Sequence, residues 1–177
     1  MPKFFHPLNI SPWSWNSLGS KIMISGDDSI SDAVSLAYPS ANLAVYIPFF
    51  LQQPMVIDRI FWGNGSVVSG NVDAGVYDAG KRKIVSTGST AQAVVSDVQS
   101  VNITNVTLGT GLFFLALACD NITAQFMAIN SFTNLGFYKT LGVYQQASAF
   151  PLPAMATFAA PTQNFLPIVG ITPRSTL

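Results

Sequence analysis

The stretch GLFFLALACDN, residues 111–121, decides the fold of this chain. Apolar side chains fill positions 112–119, and glycine and Asp-Asn turn signals bound them. A membrane-spanning helix needs about 20 apolar residues, and buried helices generally run longer than about ten residues. The run therefore predicts a β-strand, and because both of its faces are apolar, both must be covered. An opposing sheet would cover one face, and either a loop or another subunit would cover the second.

The composition of the whole chain favours strands over helices. Of its 177 residues, 49% are hydrophobic and only 9% are charged, against about 25% charged residues in an average domain. The acidic residues are all Asp, with no Glu, whereas Lys, Glu and Arg are the charged residues that favour exposed helix faces. Val, Ile, Thr, Phe and Tyr are common and are typical of strands. The mean hydropathy of +0.40 predicts that much of the surface is buried against partner molecules.

Charge and cysteine content exclude several classes of function. The net charge is zero and the one basic cluster is KRK at 81–83, so the chain lacks the positive field that nucleic-acid binding requires. Cys119 is the single cysteine, which excludes an intrachain disulfide and fits a small buried hydrophobe. Prolines interrupt the N-terminal MPKFFHPLNISPW, which has no continuous apolar core. We therefore expect no signal peptide and no membrane partner.

The pattern divides the chain into three segments. Residues 1–40 are predicted to be an irregular N-terminal arm, residues 41–150 a β-sandwich domain, and residues 151–177 a proline-rich extended tail. Short apolar runs between Gly, Asn and Asp turns predict strands at 43–50, 54–62, 70–80, 112–119 and 124–130, with weaker strands between them. Pro48 places the first strand at an edge or a bulge, and one helical turn is predicted within 32–39. The predicted fold class is all-β, an antiparallel β-sandwich that is jelly-roll-like.

Side chains suited to catalysis are sparse. His6 is the only histidine and lies in the arm, so no Ser-His-Asp triad or histidine metal cluster forms within one subunit without it. Paired carboxylates could hydrolyse a glycosidic bond, but Asp residues in turns more often bond the local backbone. The candidates for such a pair are Asp73, Asp78, Asp97 and Asp120. We expect no enzyme activity and no cofactor.

Two binding functions remain open from the side chains alone. Asp27, Asp28 and Asp32 could offer clustered oxygens to calcium, although their spacing differs from that of an EF-hand loop. Exposed aromatic rings could stack on sugar rings, although aromatic residues of a sandwich more often lie in a core or an interface. The aromatic candidates are Trp62, Tyr77, Phe137, Tyr138 and Tyr144.

Two motifs resemble a module of tailed-bacteriophage proteins. The first is SGNVDAGVYDAGKRKIVSTGSTAQ, residues 69–92, and the second is TLGTGLFFLALACDN, residues 107–121. The preceding NLAVYIPFFLQQPMVIDRIFWGNGS, residues 42–66, is similar to the opening strands of that module. The resemblance spans residues 42–127 and leaves the arm and the tail outside. It implies a jelly-roll-like sandwich used in virion assembly, decoration or adhesion, and it implies no catalytic residues.

These features predict a non-enzymatic structural protein of a phage particle. The leading hypothesis is a capsid-associated decoration or cement protein, a homotrimer whose extensions contact neighbouring subunits and other virion proteins such as the major capsid protein. The predicted assembly contacts are Phe4, Phe5, Trp13 and Trp15 in the arm and Phe158, Phe165 and Leu166 in the tail. The alternative is a tail, neck or fibre component, including a receptor-binding module that recognises a cell-surface glycan.

Overall fold

Antiparallel strands form nearly all of the regular structure, which confirms the predicted all-β fold class. The computed structural model describes residues 15–16, 21–23, 33–129 and 135–174. The jelly-roll connectivity stays a prediction. In chain order the elements are β1 (Trp15–Asn16), β2 (Lys21–Met23), β3 (Ala33–Ala37), β4 (Ala44–Leu51), β5 (Met55–Gly63), β6 (Asn71–Asp78), β7 (Lys83–Ser86), β8 (Thr90–Ala91), β9 (Val98–Leu108), β10 (Gly111–Cys119), β11 (Gln125–Ile129), α1 (Leu135–Thr140), β12 (Tyr144–Gln146), β13 (Leu166–Pro167) and β14 (Val169–Pro173).

In the described part of the chain, three antiparallel sheets build the domain. The front sheet has the strand order β1-β2-β14-β5-β9. The central sheet has the order β12-β4-β10-β6-β7, and β8 pairs with the start of β6. A small third sheet contains β13, β11 and β3. The main core lies between the front and central sheets, where Ile60 and Trp62 of β5 share one buried cluster with Val76 of β6 and Leu115 of β10.

The strand predicted from residues 111–121 is β10, and it is buried on both faces. It lies in the interior of the central sheet, between β4 and β6. Because successive side chains of a strand point to opposite faces, its residues divide between two clusters. Phe113, Leu115, Leu117 and Cys119 enter the main core, and Phe114, Ala116 and Ala118 enter a second cluster on the opposite face. The predicted two-sided burial is confirmed, with Leu112, which is 42% exposed, as the exception.

A segment of the same chain covers the second face of β10. Residues 149–158, here called the strap, cross the outer side of the central sheet, and Leu152 and Ala156 are buried against it. The Phe158 ring packs edge-on against Phe114 with 4.7 Å between ring centroids. Small side chains such as Ala116 beneath the strap allow this close approach. The cover that the sequence left open between a loop and another subunit is therefore a loop.

Polar side chains fasten the strap to the central sheet. The Tyr77 hydroxyl donates to the Pro153 carbonyl at 2.6 Å, and the Lys83 ammonium donates to the Leu152 carbonyl at 2.6 Å. Gly75 makes room for the strap, because a Cβ at that position would lie 3.0 Å from Leu152 Cδ1 and 2.9 Å from Ser86 Cβ. Alternate residues of β6 therefore face opposite sides. Val72, Ala74 and Val76 pack in the main core, and Asp73, Gly75 and Tyr77 contact the strap.

The C-terminal segment is part of the sandwich, which corrects the domain boundary predicted at residue 150. Phe165 is 2% exposed inside the main core. Further on, β14 pairs with β5 and with β2 in the interior of the front sheet. The high proline content suggested an external tail, but Pro167 and Pro173 stand at strand ends, where a missing N–H is tolerated.

Two local predictions in the first half have different outcomes. Residues 33–37 form β3, which pairs with β11, so the helical turn predicted within 32–39 is wrong. Pairing along a neighbouring strand outweighs the weak helical preference of so short a segment. Pro48 lies in β4 beyond Tyr46, where the pairing with β12 ends. In the described part of the chain it has a strand neighbour on one side only, as predicted for an edge position. Most of the arm predicted for 1–40 falls outside the described residues.

Candidate functional site

Asp73, one of the four carboxylates considered as members of a catalytic pair, accepts a hydrogen bond from the strap. Its side chain is fully buried, and its Oδ2 accepts the Leu152 N–H at 2.9 Å. Burial raises the pKa of Asp73, and the Leu152 N–H, the Ser86 hydroxyl and the charge of Lys83 act in the opposite direction. The carboxylate lies beneath the strap, where a substrate would have to displace the strap to reach it. Its observed role is to receive a backbone N–H that would otherwise be buried without a partner.

Asp78 and Asp97 make local turn contacts. Asp78 Oδ1 accepts the Arg82 N–H at 2.9 Å within the turn that joins β6 to β7, and Asp97 Oδ1 accepts the Val98 N–H at 2.6 Å. Among the residues that the structure describes, His, Cys and acidic side chains form no group of three placed to hold a metal ion. The calcium candidates Asp27, Asp28 and Asp32, and His6, lie outside the described residues.

Asp120 joins the two motifs on which the phage resemblance rests. Its Oδ1 accepts the Asn71 N–H at 3.0 Å, and its Oδ2 accepts the Asn71 side-chain amide at 2.8 Å. Asn121 donates to Asp120 Oδ1 at 2.7 Å and to the Ser69 carbonyl at 3.0 Å. Gly70 lies directly against this pair at a φ of +63°, and a Cβ there would collide with both side chains. The Gly70-Asn71 pair of the first motif and the Asp120-Asn121 pair of the second therefore contact each other, and this contact joins the start of β6 to the end of β10.

Asp120→Asn should lower stability at neutral pH and should lose this effect in acid. Partial burial alone would raise the pKa of Asp120, but hydrogen bonds from Asn71 and Asn121 lower it below the ordinary value of 3.8. A lowered pKa means that the carboxylate stabilises the fold fully above pH 3.8, and that this contribution is lost as the pH falls through the folded-state pKa. We expect a deficit of about 1 kcal/mol at pH 7 in the free energy of unfolding, measured by urea titration, and a smaller deficit below pH 3.8.

Asn71→Ala provides a second test of the same interaction, because it removes one hydrogen-bond donor and leaves the Asp120 carboxylate in place. Its deficit should also shrink in acid. A deficit of Asp120→Asn that stays constant from pH 3 to pH 7 would contradict the charge-dependent role of Asp120.

The aromatic residues predicted to stack on sugars lie inside the protein wherever the structure describes their side chains. Trp62, Tyr77 and Tyr138 are each no more than 1% exposed. Tyr144 is half-buried and stacks on Phe158 with 4.8 Å between ring centroids and 12° between ring planes. The Phe137 side chain lies outside the described set. Three of the four described rings are therefore buried, and the fourth, Tyr144, has one face covered by Phe158.

The predicted assembly contacts of the C-terminal segment face this chain's own interior. Phe165 and Leu166 are each 2% exposed, and Phe158, at the end of the strap, is half-buried against the central sheet. Core packing therefore already occupies Phe165 and Leu166, which corrects their predicted role on an outer surface. The arm contacts Phe4, Phe5 and Trp13, and the Trp15 side chain, lie outside the described residues.

Burial raises the pKa of Cys119 to about 11, so its thiol stays protonated at neutral pH.

A different surface emerges at one end of the sandwich, where three loops meet. Residues 64–70, 91–97 and 120–125 are here called the loop cluster. The backbone bonds that join the three loops run from Ser96 N to Gly65 O, from Gln92 N to Gly70 O and from Gln125 N to Val67 O, at 2.8–2.9 Å. Loops that bond to one another in this way hold a defined surface.

Asn64 is the centre of a buried amide network inside the loop cluster. Its side chain is fully buried, and its Oδ1 accepts the Trp62 indole N–H at 2.9 Å and the Gln92 amide at 3.0 Å. Its Nδ2 donates to Gln99 Oε1 at 2.9 Å and to carbonyl groups of the 91–97 loop. Buried amides that are fully paired in this way fix loop geometry, because any displacement leaves several groups without partners.

The loop cluster presents large aliphatic side chains to solvent. These residues are Val67 at 39% exposure, Val94 at 51%, Val95 at 55% and Ile122 at 61%, with Val98 at 52% at the adjoining start of β9. Val94 has a φ of +57°, a backbone conformation that β-branched residues rarely adopt. Strain of this kind persists only where surrounding contacts enforce it, and it concentrates at functional sites. Apolar groups held rigidly in water mark the loop cluster as a candidate binding surface.

A cleft of about 390 Å³ on the front sheet adjoins the loop cluster. Its described lining includes apolar side chains such as Phe61 and Met127, with Arg59 and Asp97 as the charged members. Asp97 is the single carboxylate among the described lining residues. The described lining of this cleft therefore lacks the two carboxylates that glycoside hydrolysis requires.

Comparison with protein-family models, with curated proteins and with solved structures finds no match to this chain. The resemblance to a phage module therefore remains a prediction from the residues. In the described part of the chain, no helix is both long enough and apolar enough to cross a membrane.

The loop cluster is the candidate site that the sequence did not reveal. The run AVVSDV at 93–98 shows neither helical nor strand periodicity, and two adjacent valines ordinarily indicate a buried strand. The one available signal is the position of Val94 and Val95 between polar turn residues, which is a poor place to bury them. The exposure of Val94 and Val95 depends on how the neighbouring loops pack around them.

Proposed function

We propose that this chain is a non-enzymatic structural subunit of a phage particle, made in the host cytoplasm and bound to the capsid as a decoration or cement protein. Its partners would be further copies of itself and the major capsid protein. The single observation that carries a binding role is the rigid loop cluster with its exposed aliphatic side chains. The assignment to a phage particle is supported by the resemblance at residues 69–92 and 107–121.

The physical character of the domain supports a role in assembly. With only 9% charged residues and no net charge, the chain meets little electrostatic repulsion when it packs against neighbours. Stable protein interfaces are built around apolar anchor residues within a polar rim. Val94, Val95 and Ile122, surrounded by Ser and Asp residues of the same loops, have that composition.

The composition of purified particles tests this function. We expect mass spectrometry of particles from the phage that encodes the chain to detect it at a copy number comparable to that of the major capsid protein. A few copies in each particle would favour the tail, neck or fibre alternative over capsid decoration. Absence of the chain from particles purified through a density gradient would refute a virion role altogether.

Introducing charge into the loop cluster should abolish attachment to the particle. Burying one valine contributes about 1.5–3 kcal/mol, so we expect Val94→Asp with Val95→Asp to reduce binding to undecorated capsids at least tenfold. Both side chains are more than half exposed, so the fold itself should be retained. The readout is the amount of protein that co-sediments with capsids over a concentration series.

Met155→Asp is the matched control. Met155 is 51% exposed and lies on the strap beside Arg82, which follows the C-terminal end of β6, whereas Gly70 of the loop cluster precedes the N-terminal end of β6. The control variant should bind capsids as the wild type does. Equal binding by the Val94→Asp, Val95→Asp variant and the wild type would eliminate the loop cluster as the attachment surface.

A further inference from the structure

The edge of the front sheet at β9 is unusually open. β9 runs for 11 residues, Val98–Leu108, and the described front sheet ends with it on this side. Natural edge strands are protected by charged residues, by proline or by bulges. β9 contains no charged residue and no proline. Its one protection is an irregularity opposite Asp58, where pairing moves from Ile57↔Val106 to Arg59↔Asn102 and leaves 103–105 out of register. Residues 98–102 are regular and unprotected.

The direction of the free backbone groups follows from the hydrogen-bond pattern. The Asn64 N–H donates to the Asp97 carbonyl at 2.9 Å across the extension of the β5–β9 pair. Antiparallel partners alternate between bonded and non-bonded pairs, so Val98, Ser100 and Asn102 direct their backbone groups away from β5. The Asp97 side chain binds the Val98 N–H locally, which agrees with this direction. The N–H and C=O of Ser100 and of Asn102 have no hydrogen-bond partner among the residues that the structure describes.

Half-buried aliphatic side chains lie along the same edge. Val101 and Ile103 of β9 pack against the main core but stay partly exposed, as do Ile84 and Val85 of β7, the edge strand of the central sheet. A further strand added beside β9 would bury more of this apolar surface while satisfying the free backbone groups. Both requirements point to an extended β-strand as the ligand of this edge.

We infer that β9 pairs antiparallel with β9 of a second copy of this chain, about a two-fold axis at Val101. In this register Ser100 of each copy lies opposite Asn102 of the other. The two free N–H groups of each copy then meet the two free carbonyls of the other, which makes four hydrogen bonds. This register pairs residues 98–104 of one copy with residues 98–104 of the other, and all of them are uncharged, so no like charges oppose each other. A two-fold interface is self-complementary. The free backbone groups of a second copy therefore have the same spacing as those of the first and can pair with them.

This inference does not depend on the proposed function, since the open edge is a property of the fold. It does change the expected stoichiometry. Two-fold pairing yields dimers or other even-numbered assemblies, in contrast to the homotrimer predicted from the sequence.

Paired charge substitutions test both the edge and its register. In Ser100→Lys with Asn102→Lys, the proposed pairing would set lysine against lysine twice, whereas Ser100→Lys with Asn102→Asp would set lysine against aspartate. Light scattering of the full chain should give about twice the subunit mass of 18.9 kDa for the wild type and for the Lys/Asp variant. The Lys/Lys variant should give a single subunit mass.

Ser100→Pro gives an independent test that keeps the fold. Its lost N–H faces the open edge and not β5, and edge strands tolerate proline at such positions. We expect a folded monomer, with circular dichroism and a cooperative thermal transition as the check on folding. A wild type that is monomeric at all concentrations would overturn the inference, as would folded Lys/Lys and Ser100→Pro variants with unchanged mass. A monomeric Lys/Asp variant would overturn the register at Val101.

Discussion

A chain that ends at Phe150 should fail to fold. This truncation removes all of the strap except Ala149 and Phe150, so the second face of β10 loses most of its cover, and it removes β14 from the interior of the front sheet. Phe165, Val169 and Ile171 leave the main core at the same time. Each large side chain contributes about 1.5–3 kcal/mol through burial, and a whole domain is stable by only about 5–15 kcal/mol. We expect no cooperative thermal transition and poor dispersion in the amide NMR spectrum.

Met155→Ser is the control for the truncation, because it changes an exposed side chain of the strap and leaves the strap in place. It should unfold cooperatively, near the wild-type temperature. A truncated chain with a native-like spectrum would show that residues 151–177 are dispensable for folding. The same reasoning means that loss of particle binding on deleting 151–177 would report unfolding and would carry no information about an external tail.

Asn64→Ala should destabilise the protein by about 3–5 kcal/mol, which is large for one polar residue. The substitution leaves the Trp62 indole N–H without its acceptor and removes the side-chain donor from the Ala93 and Val94 carbonyls. Gln92 and Gln99 each lose one of their hydrogen bonds. A buried polar group that loses its partner costs about 1–3 kcal/mol. Urea titration at pH 7 measures the change in the free energy of unfolding. Hydrogen exchange should also accelerate in residues 91–97, because the network positions that loop.

Asn105→Ala is the matched control, since Asn105 is exposed on β9 and has no side-chain partner in the described structure. Its stability should stay within about 0.5 kcal/mol of the wild type. If Asn64→Ala changed stability by less than 1 kcal/mol, the network would not be what holds the loop cluster in place. Particle binding by Asn64→Ala at low temperature would then be expected to match that of the wild type.

Much of the strand pattern could be predicted from local sequence. The runs at 43–50, 54–62 and 112–119 correspond to β4, β5 and β10 within one or two residues, because alternating or continuous apolar residues between turn residues specify a strand locally. The candidate site could not be predicted in the same way. The contact of Asn71 with Asp120 crosses 49 positions of sequence, and that of Asn64 with Gln99 crosses 35.

The sequence by itself determined that β10 is a strand needing cover on both faces, since apolar side chains alternate to both sides of an extended backbone. Only the tertiary structure decided what provides that cover. The proline-rich residues 149–158 and the strand β14 carry no local pattern that distinguishes an external tail from a part of the core. Their place is set by distant partners, such as Asp73 and Tyr77 beneath the strap and β5 beside β14. Burial depends on which surfaces meet in space, and local periodicity records only which residues need to be buried.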